Sequence, residues 1–192
     1  MRWKWVFAIL PIILIAGCTV DRPDDDLTVF CRAHNIKEVT SVPDGVTPIS
    51  FKSVKEFKDF VLALETTAKA QPFQTEELIT EIKALYGIKR VVRITSRKNF
   101  GIGGYVELVG DVEISNYGVP GDQYISNCWE WTWMGGITLG FDWKQAYAYH
   151  RITNATIFDV YGGGTLDGYL LINGLIKIMS WNISLQAHKE VY

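Results

Sequence analysis

The alternation of apolar and polar residues in the second half of the chain constrains the fold more than any other feature of the sequence. Apolar residues occupy even positions around 106–114, namely Val106, Leu108, Val112 and Ile114, and mostly polar residues stand between them. Because successive side chains of a strand point to opposite faces, this pattern predicts a strand with one buried and one solvated face. The same reasoning predicts about seven strands, over residues 88–95, 104–115, 123–133, 137–143, 146–160, 165–173 and 175–188.

One short turn fixes a strand register. Asn173-Gly174 is a strong two-residue hairpin signal, because both residues tolerate a positive φ. The turn pairs Ile172 with Leu175 and keeps the apolar side chains of both strands on one face. Short connections of this kind predict antiparallel neighbours.

Two further glycine-containing segments predict three-residue loops. They are Gly162–Gly164 and the segment 134–136. A three-residue loop at 134–136 pairs Trp133 with Ile137, whereas a two-residue loop would place tryptophans opposite glycine and aspartate. Hydrophobic consistency therefore favours the longer loop.

Two helices are predicted ahead of the sheet, over about residues 53–68 and 75–86. The first begins with a capping box formed by Ser53 and Glu56. Its apolar stripe is Val54, Phe57, Val61 and Leu64. The stripe of the second helix is Leu78, Ile82 and Leu85, with Gly87 as its end.

These elements predict an α+β fold. Two N-terminal helices would precede a curled antiparallel sheet of about seven strands, arranged as a roll, an open barrel or a small sandwich. We expect one such domain over residues 51–192, preceded by a tether and an irregular segment over 18–50.

The first 17 residues read MRWKWVFAILPIILIAG. A short basic start followed by an apolar run and small residues is the plan of a secretory signal peptide. The apolar run is shorter than the roughly 20 residues that a membrane span needs. We therefore expect an exported protein whose leader is removed.

The leader ends in Ile15-Ala16-Gly17-Cys18, which resembles the lipobox of bacterial lipoproteins. That resemblance implies cleavage before Cys18 and attachment of acyl chains to its thiol, which would hold the protein at a membrane. Thr19 stands where an aspartate would typically retain such a protein in the inner membrane, so the resemblance implies the outer membrane. The acidic run after Cys18 loosely resembles the export tethers of some Bacteroidota surface lipoproteins, and is also typical of a solvated linker.

Composition excludes several classes of protein. The whole chain has 192 residues, of which 48% are hydrophobic, and a net charge of −2, which excludes a disordered chain and makes nucleic acid an unsuitable partner. Removal of the leader leaves 17 basic and 21 acidic residues, a net charge of −4.

The remaining cysteines, Cys31 and Cys128, are a candidate disulfide in an oxidising compartment, and two buried free thiols are the alternative. The three histidines stand at positions 34, 150 and 188, with no Cys or His pair at ligand spacing. The sequence therefore predicts neither a metal site nor a cofactor.

Trp129, Trp131 and Trp133 share one face of a predicted strand, and Trp143 follows nearby. Large rings at alternate positions are typical of a packed core, and they are also suited to a platform for a ligand. The opposite face carries Cys128 and polar residues, which favours the core interpretation.

Two classes of function remain open. The first is a non-catalytic module that binds a glycan, a peptide, a lipid or a partner protein. The second is a small envelope hydrolase that uses His150 or a pair of carboxylates. Candidate carboxylates are Asp122, Glu130, Asp142, Asp159 and Asp167. No catalytic motif is present, so no catalytic residue is predicted and the binding module is favoured.

Overall fold

A computed structural model describes residues 23–84, 87–101, 103–116 and 122–190. Strands make up most of this part of the chain, and two helices accompany them. The elements are α1 (Pro23–Ala33), β1 (Lys37–Val39), β2 (Ile49–Ser50), α2 (Val54–Ala68), β3 (Phe73–Ala84), β4 (Gly87–Phe100), β5 (Gly104–Asn116), β6 (Gln123–Gly136), β7 (Phe141–Asn154), β8 (Ile157–Ile172) and β9 (Leu175–Glu190).

The strands form two sheets. Four long strands pair in the order β3-β4-β5-β6, and all the pairs are antiparallel. The second sheet has five strands in the order β1-β9-β8-β2, and β7 also pairs with β8. The two-residue strand β2 runs parallel to β8, and its Ile49 lies opposite Leu170. Antiparallel pairing is confirmed for every long strand.

The main hydrophobic core lies between the two sheets. It combines residues of β4, β5 and β6 with residues of β8 and β9. The sheets approach closely where Gly162 of β8 faces β5 and β6, because a Cβ there would lie 2.7 Å from Leu108 Cδ1 and 2.6 Å from Thr132 Cγ2. A side chain at position 162 would therefore force the sheets apart.

The two helices cover a second hydrophobic cluster at one end of the five-stranded sheet. Phe57 and Val61 of α2 meet Leu27 of α1 and Leu170 of β8 there. The predicted cap of α2 is confirmed, since the Glu56 N–H donates to Ser53 Oγ at 3.2 Å. Over the described residues, neither helix is long and apolar enough to cross a membrane.

The helix predicted over 75–86 is wrong, because residues 75–84 lie within strand β3, and residues 85 and 86 lie outside the described residues. Its Thr75 and Glu77 pair with Thr95 and Arg93 of β4. A register shift between Leu78 and Thr80 interrupts the two-residue period and left the apolar residues at a helix-like spacing. Pairing with β4 outweighs the helix propensity of the glutamates and leucines.

The irregular segment predicted over 18–50 holds a helix that sequence reasoning missed. Helix α1 begins at Pro23, and the aspartates that follow this proline lie in the first turn of the helix and not in a flexible tether. Proline is favoured at the first position of a helix, and acidic residues are favoured in its first turn. Leu27 and Cys31, four residues apart, supply its buried side.

The hairpin at Asn173-Gly174 is confirmed. Both residues have a positive φ, 52° and 76° respectively, and Ile172 pairs with Leu175. A two-residue turn with positive φ at both positions matches the right-handed twist of the flanking strands.

The two predicted three-residue loops are wrong. Gly162–Gly164 lies inside β8, where small residues allow close packing instead of a turn. The segment 134–136 ends strand β6, and its Trp133 pairs with Glu107 of β5, not with Ile137. Both predictions place a turn at glycines, and at 134–136 the hydrophobic register then chooses its length, but glycine also occurs inside strands where another backbone approaches closely.

The predicted fold class is therefore wrong. The helices do not form an N-terminal pair ahead of one curled sheet; α1 precedes β1 and α2 follows β2. The described strands form two stacked sheets with no closed barrel.

Candidate functional site

The three tryptophans of β6 point away from the core. Trp129, Trp131 and Trp133 are 46%, 37% and 39% exposed on the outer side of the four-stranded sheet. Their shared face is confirmed, but the core interpretation is wrong. Together with their neighbours on β4 and β5 they form a surface that we call the tryptophan face.

Two arginines of β4 hold the tryptophan face together through carboxylates of β5. Arg93 donates from Nε and Nη2 to the two carboxylate oxygens of Asp111, each at 2.7 Å. Arg97 donates from Nε to Glu107 Oε1 at 2.9 Å. The hydrogen bonds to Asp111 raise the pKa of Arg93 above its ordinary value. A planar guanidinium paired with a planar carboxylate fixes the orientation of both side chains, in addition to the attraction between their charges.

The rings are tied into the same network. Trp133 Nε1 donates to Glu107 Oε2 at 3.0 Å, so one buried carboxylate serves both a guanidinium and an indole. The guanidinium carbon of Arg93 lies 5.6 Å from the centre of the Trp131 ring, and that of Arg97 lies 4.0 Å from the Tyr105 ring. These are cation–π distances.

The rings also cover part of the sheet beneath them. Val109 pairs with Trp131 on the outer side of β5, yet it is buried. Tyr105 meets Trp133 edge to face, with ring centres 5.4 Å apart. The outer side of this sheet is therefore a second, thin packed layer that leaves ring surface exposed.

Trp143 does not belong to the tryptophan face. It lies on β7, packs against the main core and donates from Nε1 to Thr132 Oγ1 at 3.1 Å. Sequence proximity had placed it with the other three rings, but it belongs to the other sheet.

The inner face of β6 carries a different set of groups. Atoms of Cys128, Glu130 and His150 that can ligate a metal lie within 4.8 Å of one another. The Nδ1–H of His150 donates to Glu130 Oε2 at 2.9 Å. Burial, reinforced by the neighbouring Glu130 carboxylate, raises the pKa of the Cys128 thiol to about 12.

Cys and His pairs close in sequence do not reveal this cluster, because its histidine lies on a different strand from its cysteine. The available signal was Cys128 and Glu130 two positions apart on one strand face, with His150 on the next strand. The spacing alone does not show that β6 and β7 belong to different sheets whose edges meet.

The predicted disulfide between Cys31 and Cys128 is absent. Both are free thiols, Cys31 in the cluster under the helices and Cys128 in the main core. Burial also raises the pKa of the Cys31 thiol. Cys18, the predicted site of lipidation, lies outside the described residues.

Four of the five candidate carboxylates contact a lysine or histidine side chain, and Asp122 is exposed. Asp142 and Asp167 face each other across β7 and β8, but Lys144 Nζ lies 3.7 Å from one and 2.7 Å from the other. Asp159 contacts His188 at 2.8 Å. Lys144 therefore bridges Asp142 and Asp167, whereas Glu130 and Asp159 each hydrogen-bond a histidine.

The described residues thus form a two-sheet antiparallel β fold with a row of exposed tryptophans on one outer face. No family model matches this chain, and neither a curated protein nor a solved structure gives a match.

Proposed function

We propose that this protein is an exported bacterial lipoprotein whose tryptophan face binds an extended glycan. Acyl chains on Cys18 would hold it at the outer membrane, as the lipobox resemblance implies. The observation that carries the binding function is the row of three exposed rings, fixed in place by charged neighbours. Rings that are already ordered lose little conformational entropy when they bind a ligand.

The spacing of the rings suits a linear ligand. Strand residues two positions apart are separated by about 6.6–6.8 Å, so Trp129 and Trp133 lie about 13 Å apart along β6. That length accommodates more than one sugar ring. A sugar presents C–H groups from its face to an indole and hydroxyl groups at its rim.

Charged groups beside the rings favour a glycan over a lipid surface. The partly exposed Arg93 and Arg97 lie among the rings, and burying their guanidinium groups in hydrocarbon would cost several kcal/mol even when they are paired. Sugar hydroxyls can instead accept hydrogen bonds from these guanidinium groups.

Binding assays on alanine variants test this function. We expect the purified protein to bind members of a panel of soluble oligosaccharides, and Trp129→Ala or Trp131→Ala to weaken that binding about tenfold or more, the effect of losing a central aromatic contact. Tyr149→Ala is the matched control, because Tyr149 is an exposed ring on the outer side of the other sheet. Circular dichroism checks that each variant is folded.

Phospholipid vesicles and unstructured peptides are the comparison ligands. Tryptophan-dependent binding to either one, with no oligosaccharide bound, would replace the glycan with that ligand class. Equal loss of glycan binding in the Trp131→Ala and Tyr149→Ala variants would contradict the tryptophan face as the site.

The anchor has a separate test. Cells that express the full chain are grown with labelled fatty acid, and the mass of the mature protein is measured. We expect acyl chains on the wild type and none on Cys18→Ser. An unmodified Cys18 in the wild type would overturn the anchor without affecting glycan binding.

A further inference from the structure

The edges of the two sheets meet at β6 and β7. The backbone N–H of Thr132 on β6 donates to Gln145 Oε1 on β7 at 2.9 Å, which closes part of the gap between the sheets. Cys128 and Glu130 project into this gap from β6, and His150 approaches from β7. Because strands are more rigid than loops, the three groups are held in place before any ligand arrives.

The separations suit a tetrahedral metal ion. The three candidate ligand atoms lie within 4.8 Å of one another, and His150 Nδ1 lies 2.9 Å from Glu130 Oε2. Bonds to Zn²⁺ of about 2.0–2.3 Å at tetrahedral angles place ligand atoms about 3.3–3.7 Å apart. Small side-chain rotations, release of the Cys128 thiol proton to solvent and movement of the His150 ring hydrogen from Nδ1 to Nε2 therefore convert the present arrangement into a coordination geometry.

We propose that Cys128, Glu130 and His150 form a binding site for a divalent transition-metal ion of the Zn²⁺ type. Sulfur, imidazole nitrogen and carboxylate oxygen are the three ligand types that Zn²⁺ takes in proteins, and a thiolate disfavours Mg²⁺ and Ca²⁺. The bound ion would link β6 of one sheet to β7 of the other sheet, at the place where the edges of the two sheets meet.

The site has an open side. Cys128 is only 7% exposed, whereas the His150 side chain is 34% exposed. An ion anchored by the buried thiolate would keep its fourth position towards solvent, where a water molecule completes the tetrahedron. The thiolate and the Glu130 carboxylate balance the charge of the ion.

The metal site and the tryptophan face are independent. Cys128 and Glu130 lie on the inner side of β6, and Trp129 and Trp131 lie on its outer side. A failure to bind metal would therefore not contradict the proposed glycan binding. A failure to bind glycans would likewise not contradict the metal site.

Metal titration of the full chain tests the proposal. The purified protein is treated with a chelator, dialysed and titrated with Zn²⁺ in a calorimeter. We expect one ion per chain. Loss of a residue that hydrogen-bonds to a metal ligand typically weakens metal affinity about 10- to 100-fold, and we expect His150→Gln, which removes a ligand itself, to weaken Zn²⁺ affinity by more than this. His150 is partly exposed, so this variant keeps the core unchanged.

Two control variants are matched to the ligands. His188→Gln removes a histidine from a similar His–carboxylate pair, His188 with Asp159, outside the cluster. Cys31→Ser removes the other buried free thiol of the described chain. Both should bind Zn²⁺ as the wild type does.

Cobalt provides a direct readout of the thiolate. Co²⁺ bound to the wild type should give a sulfur-to-metal charge-transfer band, and Cys128→Ala should lose it. Zn²⁺ should also raise the melting temperature of the wild type and leave that of His150→Gln unchanged. Equal Zn²⁺ affinity of the wild type and His150→Gln, or a Co²⁺ complex without the charge-transfer band, would overturn the proposal.

Discussion

An ordinary half-buried strand has apolar residues on its inner face and polar residues on its outer face. Strand β6 has the opposite arrangement. The outer face exposes three tryptophans, whereas the inner face directs Cys128, Glu130 and Thr132 towards the other sheet. The outer rings are kept in place by ion pairs and an indole hydrogen bond. The inner groups hydrogen-bond across the gap to β7.

This difference shows that position in the fold, more than polarity, decides what a strand face does. Strand β6 is at the edge of its sheet, so the inner face of its middle part meets the rim of the gap and not the centre of the core. Polar side chains can satisfy their hydrogen bonds there. Large rings are tolerated outside because charged neighbours pack against them.

The largest expected effect is on the outer face. Glu107→Ala removes the acceptor shared by Arg97 and Trp133, and we expect the free energy of unfolding to fall by about 2–3 kcal/mol because two hydrogen bonds to a charged, buried acceptor are lost. Urea denaturation measures the loss. Glu107→Gln keeps one acceptor oxygen and should lose less; equal stability of all three proteins would show that the outer network contributes nothing.

The next effect is on the contact between the sheets. Gly162→Ala would place a Cβ 2.6 Å from Thr132 Cγ2 and 2.7 Å from Leu108 Cδ1. Overpacking of this kind costs about 1–3 kcal/mol. Thr132→Ser removes the Cγ2 atom, so the double variant should recover part of the stability measured by urea denaturation. A double variant that shows only the sum of the two single losses would contradict the clash with Thr132.

A smaller effect is expected from the hydroxyl on the inner face. Thr132→Val keeps the shape but removes the group that accepts from Trp143 Nε1 and contacts Gln145. We expect a loss of about 1 kcal/mol in the free energy of unfolding. Thr165→Val, which removes an exposed contact to Asn182, is the control and should change stability less. A larger loss of stability in Thr165→Val than in Thr132→Val would show that the Thr132 hydroxyl does not stabilise the contact between β6 and β7.

The smallest effect is a pH dependence on the outer face. Hydrogen bonds from Lys89 and Ser126 lower the pKa of Glu113 below its ordinary value. Because the folded pKa is below the unfolded one, Glu113 stabilises the fold at neutral pH, and this contribution is lost as pH falls through the folded pKa. The melting temperature is measured at neutral and at acidic pH. The decrease on going to acidic pH should be smaller for Glu113→Gln than for the wild type. Parallel pH profiles would contradict the coupling.

The parts of the fold that could be predicted are those fixed by local chemistry. Asn173-Gly174 determines its hairpin because both residues adopt a positive φ, and Ser53 determines a helix start because its hydroxyl accepts the Glu56 N–H. The alternation around Val106 and Leu108 likewise predicted strand β5. None of these depends on a distant partner.

The parts that failed depend on partners far along the chain. Thr75 lies in a strand because it pairs with Thr95, and the register shift near Leu78 hid the two-residue period. The shared face of the tryptophans could be predicted, but its exposure could not, since that depends on Arg93 and Arg97 lying beside the rings. The placement of His150 next to Glu130 depends on two sheets meeting at their edges.

Helix α1 begins at Pro23, five residues after Cys18. An extended chain covers at most about 3.3–3.6 Å per residue, so an acylated Cys18 would allow the start of α1 no more than about 18 Å from the lipid headgroups. This distance is smaller than the diameter of roughly 40 Å expected of a compact domain of this length. The protein would therefore sample only ligands that come to the membrane surface, and the local concentration of a membrane-attached glycan would count for more than its intrinsic affinity.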